Sequence, residues 1–314
     1  MKVMSGTSNL PLAQEVVKHL NKSLLKADIT KFPDGEIFID IHEAVRGENI
    51  YLIQNTASPV NDSLVELLLS IHTLKQSLCK RVIVILPYFG YSRQDRRTTS
   101  RSPISAKLMA QLICTAGADN VVAIDLHSTQ TSGFFNIPVD LISANRLFIS
   151  HIKENYSLNA NDSIIVSPDV GGVTRANTIA NKVSLPLCIV HKKRPRPSEA
   201  KVINIIGDVK NKHCFIVDDI IDSAQSMLKV AIALKEAGAK SISAYATHGV
   251  FSNNAIRNIE ESCIDNIMIT NSIQNNLNNS SKIKTLSIAR LLAKIIDRME
   301  NSKSLSNSDE YFMI

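Results

Sequence analysis

The sequence predicts an α/β protein built from two tandem domains, each a mainly parallel sheet flanked by helices. Three observations predict it. Short runs rich in Val and Ile, such as residues 81–87, 121–125, 163–166 and 214–217, alternate along the chain with longer stretches of helical spacing. Near-continuous apolar runs of that length suit parallel strands covered on both faces. Ala116-Gly117-Ala118 before one strand matches Ala237-Gly238-Ala239 before another, and His127 matches His248, both pairs lying 121 positions apart. A constant offset over a helix–turn–strand unit points to a duplicated domain. The length of 314 residues suits two domains of ordinary size.

Taken in order, residues 1–8 hold a short strand and a small-residue turn, and 12–25 an amphipathic helix. Pro33-Asp34-Gly35 reads as a turn, after which Ile37, Ile39 and Ile41 alternate as a strand. Residues 50–54 are a strand, 61–78 a helix and 81–87 a buried strand that runs into the loop 88–97. A helix over 104–116 leads to the strand 121–125 and to Asp125-Leu126-His127. The second half has a strand over 163–166, a helix over 173–182, a strand over 187–190 and a basic, Pro-rich loop from Lys192. Strands over 214–217 and 241–246 enclose a helix over 227–237. Residues 271–281, rich in Asn and Ser, read as a surface loop, and 286–299 as a final helix. The expected division is 1–146 and 147–300, with 301–314 a loose tail.

Composition narrows the function. The net charge of +6 favours anionic partners, and small phosphates satisfy it as well as polyanions do. Aromatic residues make up 5% with no Trp, too few for a platform that stacks single-stranded nucleic acid. No apolar run approaches the length of a membrane span. The five cysteines are odd in number and never stand in a C-x-x-C pair, as in reduced cytoplasmic proteins. Small anionic substrates, no nucleic acid, no membrane and a cytoplasmic location are therefore expected.

The most informative stretch is 213–226. The run 214–217 reads as a strand that ends at Asp218 and Asp219. Asp222, Ser223, Ala224, Gln225 and Ser226 then lead into a helix. A tight turn at a helix N-terminus presents backbone N–H groups and the helix dipole to an anion. The serine hydroxyls add donors. The two carboxylates suit the hydroxyls of a sugar, or a metal, beside that phosphate. Ala224 is expected at negative φ, because Ala is strained where Gly is not. Ser167-Pro168-Asp169-Val170-Gly171-Gly172 is a second small-residue turn of the same kind, with Asp169 placed to meet a cation. His127 suits a metal or a phosphate. Lys192, Lys193, Arg194 and Arg196 could clamp a transferring phosphoryl group. Phe32, Asp34, Gly35, Glu36, Arg93 and Gln94 together offer a stacking surface, polar contacts and a cation to a purine nucleotide.

These motifs resemble, in order and over nearly the full length, those of the ribose-phosphate diphosphokinases, the phosphoribosyl pyrophosphate synthetases. The matching segments include Phe32 to Glu36, Tyr91 to Asp95, Asp125 to His127, Ser167 to Gly172, Lys192 to Pro197, Asp218 to Ser226 and Tyr245 to Gly249. The resemblance implies two phosphoribosyltransferase-like domains. It implies that Asp34, Gly35, Glu36, Arg93 and Gln94 bind ATP with Phe32 against the adenine, at a contact between subunits. It gives Mg2+ to His127 and Asp169, the diphosphate to the loop with Asp169, Gly171 and Gly172, and catalysis to Lys192 and Arg194. Asp218, Asp219 and Asp222 to Ser226, with Arg194, would hold ribose 5-phosphate. The product would be 5-phosphoribosyl 1-diphosphate with release of AMP, made by a homo-oligomer, a hexamer assembled from dimers. One departure is Ala44, which stands where the family places a serine linked to activation by phosphate.

Overall fold

The computed structural model describes residues 1–193 and 202–305. They form two compact units. The first contains Met1–Ser143, Ser272–Gln274 and the segment from Ser287 onward. Its elements are β1 (Lys2–Ser5), α1 (Leu10–His19), β2 (Ala27–Lys31), β3 (Ile37–Ile41), β4 (Asn49–Ile53), α2 (Val60–Gln76), β5 (Arg81–Leu86), α3 (Ser105–Ala116), β6 (Asn120–Ile124) and β7 (Val139–Ile142). The sheet has the order β1-β4-β5-β6-β7, with every pairing parallel. β2 and β3 stand apart as an antiparallel hairpin around Gly35. β5 and β6 are buried almost throughout, as their unbroken apolar runs require. Leu64, Leu67, Ile71 and Leu74 form the buried stripe of α2 and share one core with Val82, Val84 and Leu86 of β5. α1 is shorter than its apolar pattern predicts. Asn21 takes a left-handed φ of 52°, which turns the chain, and Leu25 N–H donates to Val3 O at 2.7 Å.

The second unit comprises Ala144–Asn271 and Asn275–Leu286. It holds α4 (Asn145–Asn155), β8 (Ser163–Ser167), α5 (Val173–Val183), β9 (Leu187–Lys193), β10 (Val202–Ile206), β11 (His213–Ile221), α6 (Gln225–Glu236), β12 (Ser241–Gly249), α7 (Ala255–Glu260), β13 (Asn266–Thr270) and β14 (Ile283–Leu286). The strand order is β10-β9-β8-β11-β12-β13-β14, and β10 is antiparallel to its neighbour. The 121-residue repeat is physical. Gly117 after α3 and Gly238 after α6 both lie at positive φ, 108° and 91°. Ala118 N–H returns to Ile113 O as Ala239 N–H returns to Leu234 O, the same helix-ending bond in each unit.

Three details differ from the sequence reading. β11 runs on through Asp218 and Asp219 to Ile221, because β12 continues to pair with it as far as Gly249. Lys192 and Lys193 belong to β9 rather than to a loop, their backbone paired with Ile203 and Val202 of β10. The last helix, α8 (Ala289–Glu300), groups with the first unit although it follows the second in sequence. It packs against α1 and buries Leu291, Leu292, Ile295 and Ile296. At its end, Glu300 accepts hydrogen bonds from Asn49 Nδ2 and Tyr51 Oη of β4 at 3.1 and 3.2 Å.

Candidate active site

In an open parallel sheet, ligands gather at the carboxyl ends of the strands. β8 and β11 are parallel neighbours, with Val166 opposite Ile216, so the turns that follow them leave the sheet at the same end. In the first turn Asp169 Oδ1 accepts from Gly172 N–H at 2.9 Å, and Ser167 Oγ donates to Asp169 O at 2.7 Å. A Cβ on Gly172 would come 3.1 Å from Ser167 Oγ, so the turn is tight there. Asp169, Val170 and Gly171 are exposed.

The second turn, residues 222–224, opens α6. Ala224 lies at φ 61° and ψ −13°, against the expectation of negative φ. The turn requires the left-handed conformation whether or not Gly supplies it, and an L-residue there costs about 1–2 kcal/mol. Ala224 is buried and its carbonyl accepts from Leu228 N–H at 2.9 Å, and α6 starts one residue later. Gln225 and Ser226 are exposed, and Asp222 and Ser223 half-buried.

The acidic pair sits just below this turn. Asp219 is buried and Asp218 partly so. Burial, then the hydrogen bond with Asp219, then the charge of Asp219, push the Asp218 carboxyl up to about 8. Arg175 acts in the opposite direction. Its Nη1 donates to Asp219 Oδ1 at 3.2 Å and lies 3.6 Å from Asp218 Oδ1. Sequence reasoning missed Arg175. A signal was available, because a cation in the first turn of a helix opposes the dipole and calls for a carboxylate partner.

In the first unit the hairpin turn closes through Gly35 N–H to Phe32 O and Phe32 N–H to Glu36 O, both at 2.8 Å, with Gly35 at φ 96°. Asp34 Oδ1 accepts from Glu36 N–H at 3.1 Å. Phe32 and Phe38 are 50% and 48% exposed with centroids 5.6 Å apart, an unusual apolar pair to leave in water and a suitable face for a flat ring. The loop after β5 is held to the loop after β4. Tyr88 N–H donates to Asn55 Oδ1 at 2.9 Å, and Gly90 N–H to Thr56 Oγ1 at 2.6 Å. Arg93 and Gln94 at its far end are exposed, and Gln94 Oε1 accepts from Ser105 Oγ at 2.6 Å. His127 is exposed beyond β6, which neighbours β5. Ala44 and Arg46 are exposed on either side of buried Val45. Lys192 lies on β9, while Arg194 and the rest of the basic stretch to Pro197 fall outside the described residues.

Parallel sheets flanked by helices, with small-residue turns at helix N-termini and an acidic pair at the strand ends, define the class of α/β proteins with the phosphoribosyltransferase-like fold. The family model of the N-terminal domain of ribose phosphate pyrophosphokinase matches residues 1–117, and that of the phosphoribosyl synthetase-associated domain matches residues 193–308. The ribose-phosphate pyrophosphokinase of Agrobacterium fabrum is 44% identical over 308 residues, 98% of this chain and 99% of that one. That of Thermotoga maritima is 45% identical over 306 residues, covering 98% and 97%. The crystal structure of phosphoribosylpyrophosphate synthetase from Mycobacterium smegmatis superposes with a TM-score of 0.90 at 36% identity, covering 96% of this chain and 100% of that one. The chain belongs to the ribose-phosphate pyrophosphokinase family, and is accordingly a transferase of nucleotide biosynthesis. Among the described residues, no helix is long and apolar enough to cross a membrane.

Proposed function

We propose that the protein transfers the diphosphoryl group of ATP to the anomeric hydroxyl of D-ribose 5-phosphate. The hydroxyl oxygen bonds to the β-phosphorus, the bond from that phosphorus to the α,β-bridging oxygen breaks, and AMP leaves with that oxygen. The hydroxyl proton passes to solvent. The observation that carries this reading is the placement of two turns suited to phosphate on neighbouring parallel strands, with Asp218 and Asp219 on one of them.

In this reading the turn 222–226 receives the 5-phosphate, Asp218 and Asp219 the sugar hydroxyls, and the Asp169–Gly172 turn the diphosphate. Phe32 stacks on the adenine, and Asp34, Glu36, Arg93 and Gln94 take the polar contacts of ATP. Lys192 and Arg194 offset charge on the bridging and leaving oxygens. His127 and Asp169 are proposed magnesium ligands. Among the described residues no group of three or more His, Cys, Asp or Glu could hold a metal alone. Magnesium commonly relies on one or two protein donors plus substrate phosphates. When bound, the metal neutralises phosphate charge. Assembly as a hexamer built from dimers and a cytoplasmic location belong to the same proposal.

The test is AMP formation, which should require ribose 5-phosphate, ATP and Mg2+ together. AMP released from ATP and Mg2+ alone, at an undiminished rate, would refute the transfer. Lys192→Ala should lower kcat roughly 100-fold, as expected for removing one preorganised donor, with KM changed far less. Near-normal kcat in that variant would remove Lys192 from catalysis.

A further inference from the structure

Arg175 stands in the first turn of α5, three residues beyond Gly172. The positive end of the helix dipole disfavours a cation there, and that turn contains no acidic residue. Its guanidinium instead meets β11, 3.2 Å from Asp219 Oδ1 and 3.6 Å from Asp218 Oδ1. The three side chains are 17%, 8% and 25% exposed, so water screens the contact weakly. α5 is the helix that follows one phosphate-suited turn, and β11 is the strand that precedes the other. Arg175 therefore ties the two turns together through the acidic pair.

We propose that Arg175 is a positioning residue for the sugar, fixing Asp218 and Asp219 so that the pair accepts hydrogen bonds from the vicinal hydroxyls of ribose 5-phosphate. The inference rests on the reading that these two aspartates hold the sugar. Its physical ground is that neighbouring buried carboxylates repel one another, and without the guanidinium held against both of them the pair swings apart and misplaces an acceptor. The planar guanidinium can hold two carboxylates in a fixed relation, whereas an ammonium supplies charge without that geometry. Arg175 acts through the aspartates and is not a catalytic residue.

The test uses the full-length protein and AMP formation, with ribose 5-phosphate and ATP varied separately and thermal unfolding recorded for each variant. Arg175→Ala should raise KM for ribose 5-phosphate about tenfold or more, in line with losing a hydrogen bond between charged groups. KM for ATP should stay within about twofold of the wild-type value, and Arg175→Lys should recover part of the loss. Arg175→Gln keeps a donor without the charge and should resemble Arg175→Ala, which preserves the test if the alanine variant folds poorly. The comparison is Asp219→Asn. If Asp219→Asn raises KM for ribose 5-phosphate while Arg175→Ala and Arg175→Gln leave it unchanged, the positioning role is wrong and the sugar site stands. If none of the three moves that KM, the sugar site itself is wrong. Equal rises in both KM values, with no recovery by lysine, would make Arg175 merely structural and overturn the proposal.

Discussion

Ala224 shows a residue identity and a backbone requirement in conflict. Its φ of 61° belongs to the left-handed region, where the side chain costs about 1–2 kcal/mol. Glycine would remove that strain but add conformational freedom to the unfolded chain. The expected net effect of Ala224→Gly is a stabilisation of about 0.5–1 kcal/mol, measurable by denaturant unfolding. A loss of stability would show that the methyl group packs better than its conformation suggests. Asp218 makes a prediction in pH. Its ordinary value is 3.8, and in the folded protein burial beside Asp219 raises it to about 8. The folded protein thus keeps a proton that the unfolded chain releases. The stability from that proton is full below about 4 and is lost as pH rises to about 8. Asp218→Asn abolishes this titration, so its stability relative to wild type should improve between pH 5 and pH 8. A difference between the two proteins that does not vary with pH would rule out the raised value. The sequence marked Ala224 as part of the turn and Asp218 as the end of the strand before it. The sign of a φ and the proton on a carboxyl were not legible in it, because each depends on what packs around the group.

Elements were legible where one periodicity governed them. The apolar runs of β5, β6, β8 and β11 and the striped helices α2, α3 and α5 agree closely with expectation. Their ends were less legible. α1 stops where Asn21 turns left-handed, and β11 passes through two aspartates because β12 supplies ladder partners that no local pattern reveals. The loop after β5 shows the same dependence on a distant partner. Gly90 lies in that loop, and a Cβ on it would lie 2.2 Å from the carbonyl oxygen of Thr56. That contact is with backbone, so the loop after β4 or the loop after β5 must shift. Gly90→Ala should also weaken the bond from Gly90 N–H to Thr56 Oγ1. The expected destabilisation is about 1–3 kcal/mol, typical of overpacking at a site that cannot relax. Urea unfolding checks it, and a variant as stable as wild type would mean that these loops yield easily.

At the scale of the whole chain, the duplication was legible because Ala-Gly-Ala and a following His recur 121 residues apart, and the two helix endings share the same backbone bond. The two compact units first divide between Ser143 and Ala144. The return of α8 to the first unit was not legible. Linear order assigns a terminal helix to the domain it follows, whereas burial assigns it to whichever apolar face it covers. In α8 that choice is made by Leu291, Leu292, Ile295 and Ile296, with Glu300 accepting from Asn49 and Tyr51 beyond the apolar stripe. Burying each of these four side chains is worth about 1.5–3 kcal/mol, so together they rival the 5–15 kcal/mol that keeps an ordinary domain folded. Deleting residues 289–314 should therefore unfold the first unit selectively. Amide exchange resolves the outcome by segment. Protection should collapse in β1 and β4 and persist in β8, β11 and β12, whose core of Ile164, Val166, Ile216 and Ile242 contains no residue of α8. Collapse in the second unit with β1 and β4 still protected would return the helix to the domain it follows in sequence.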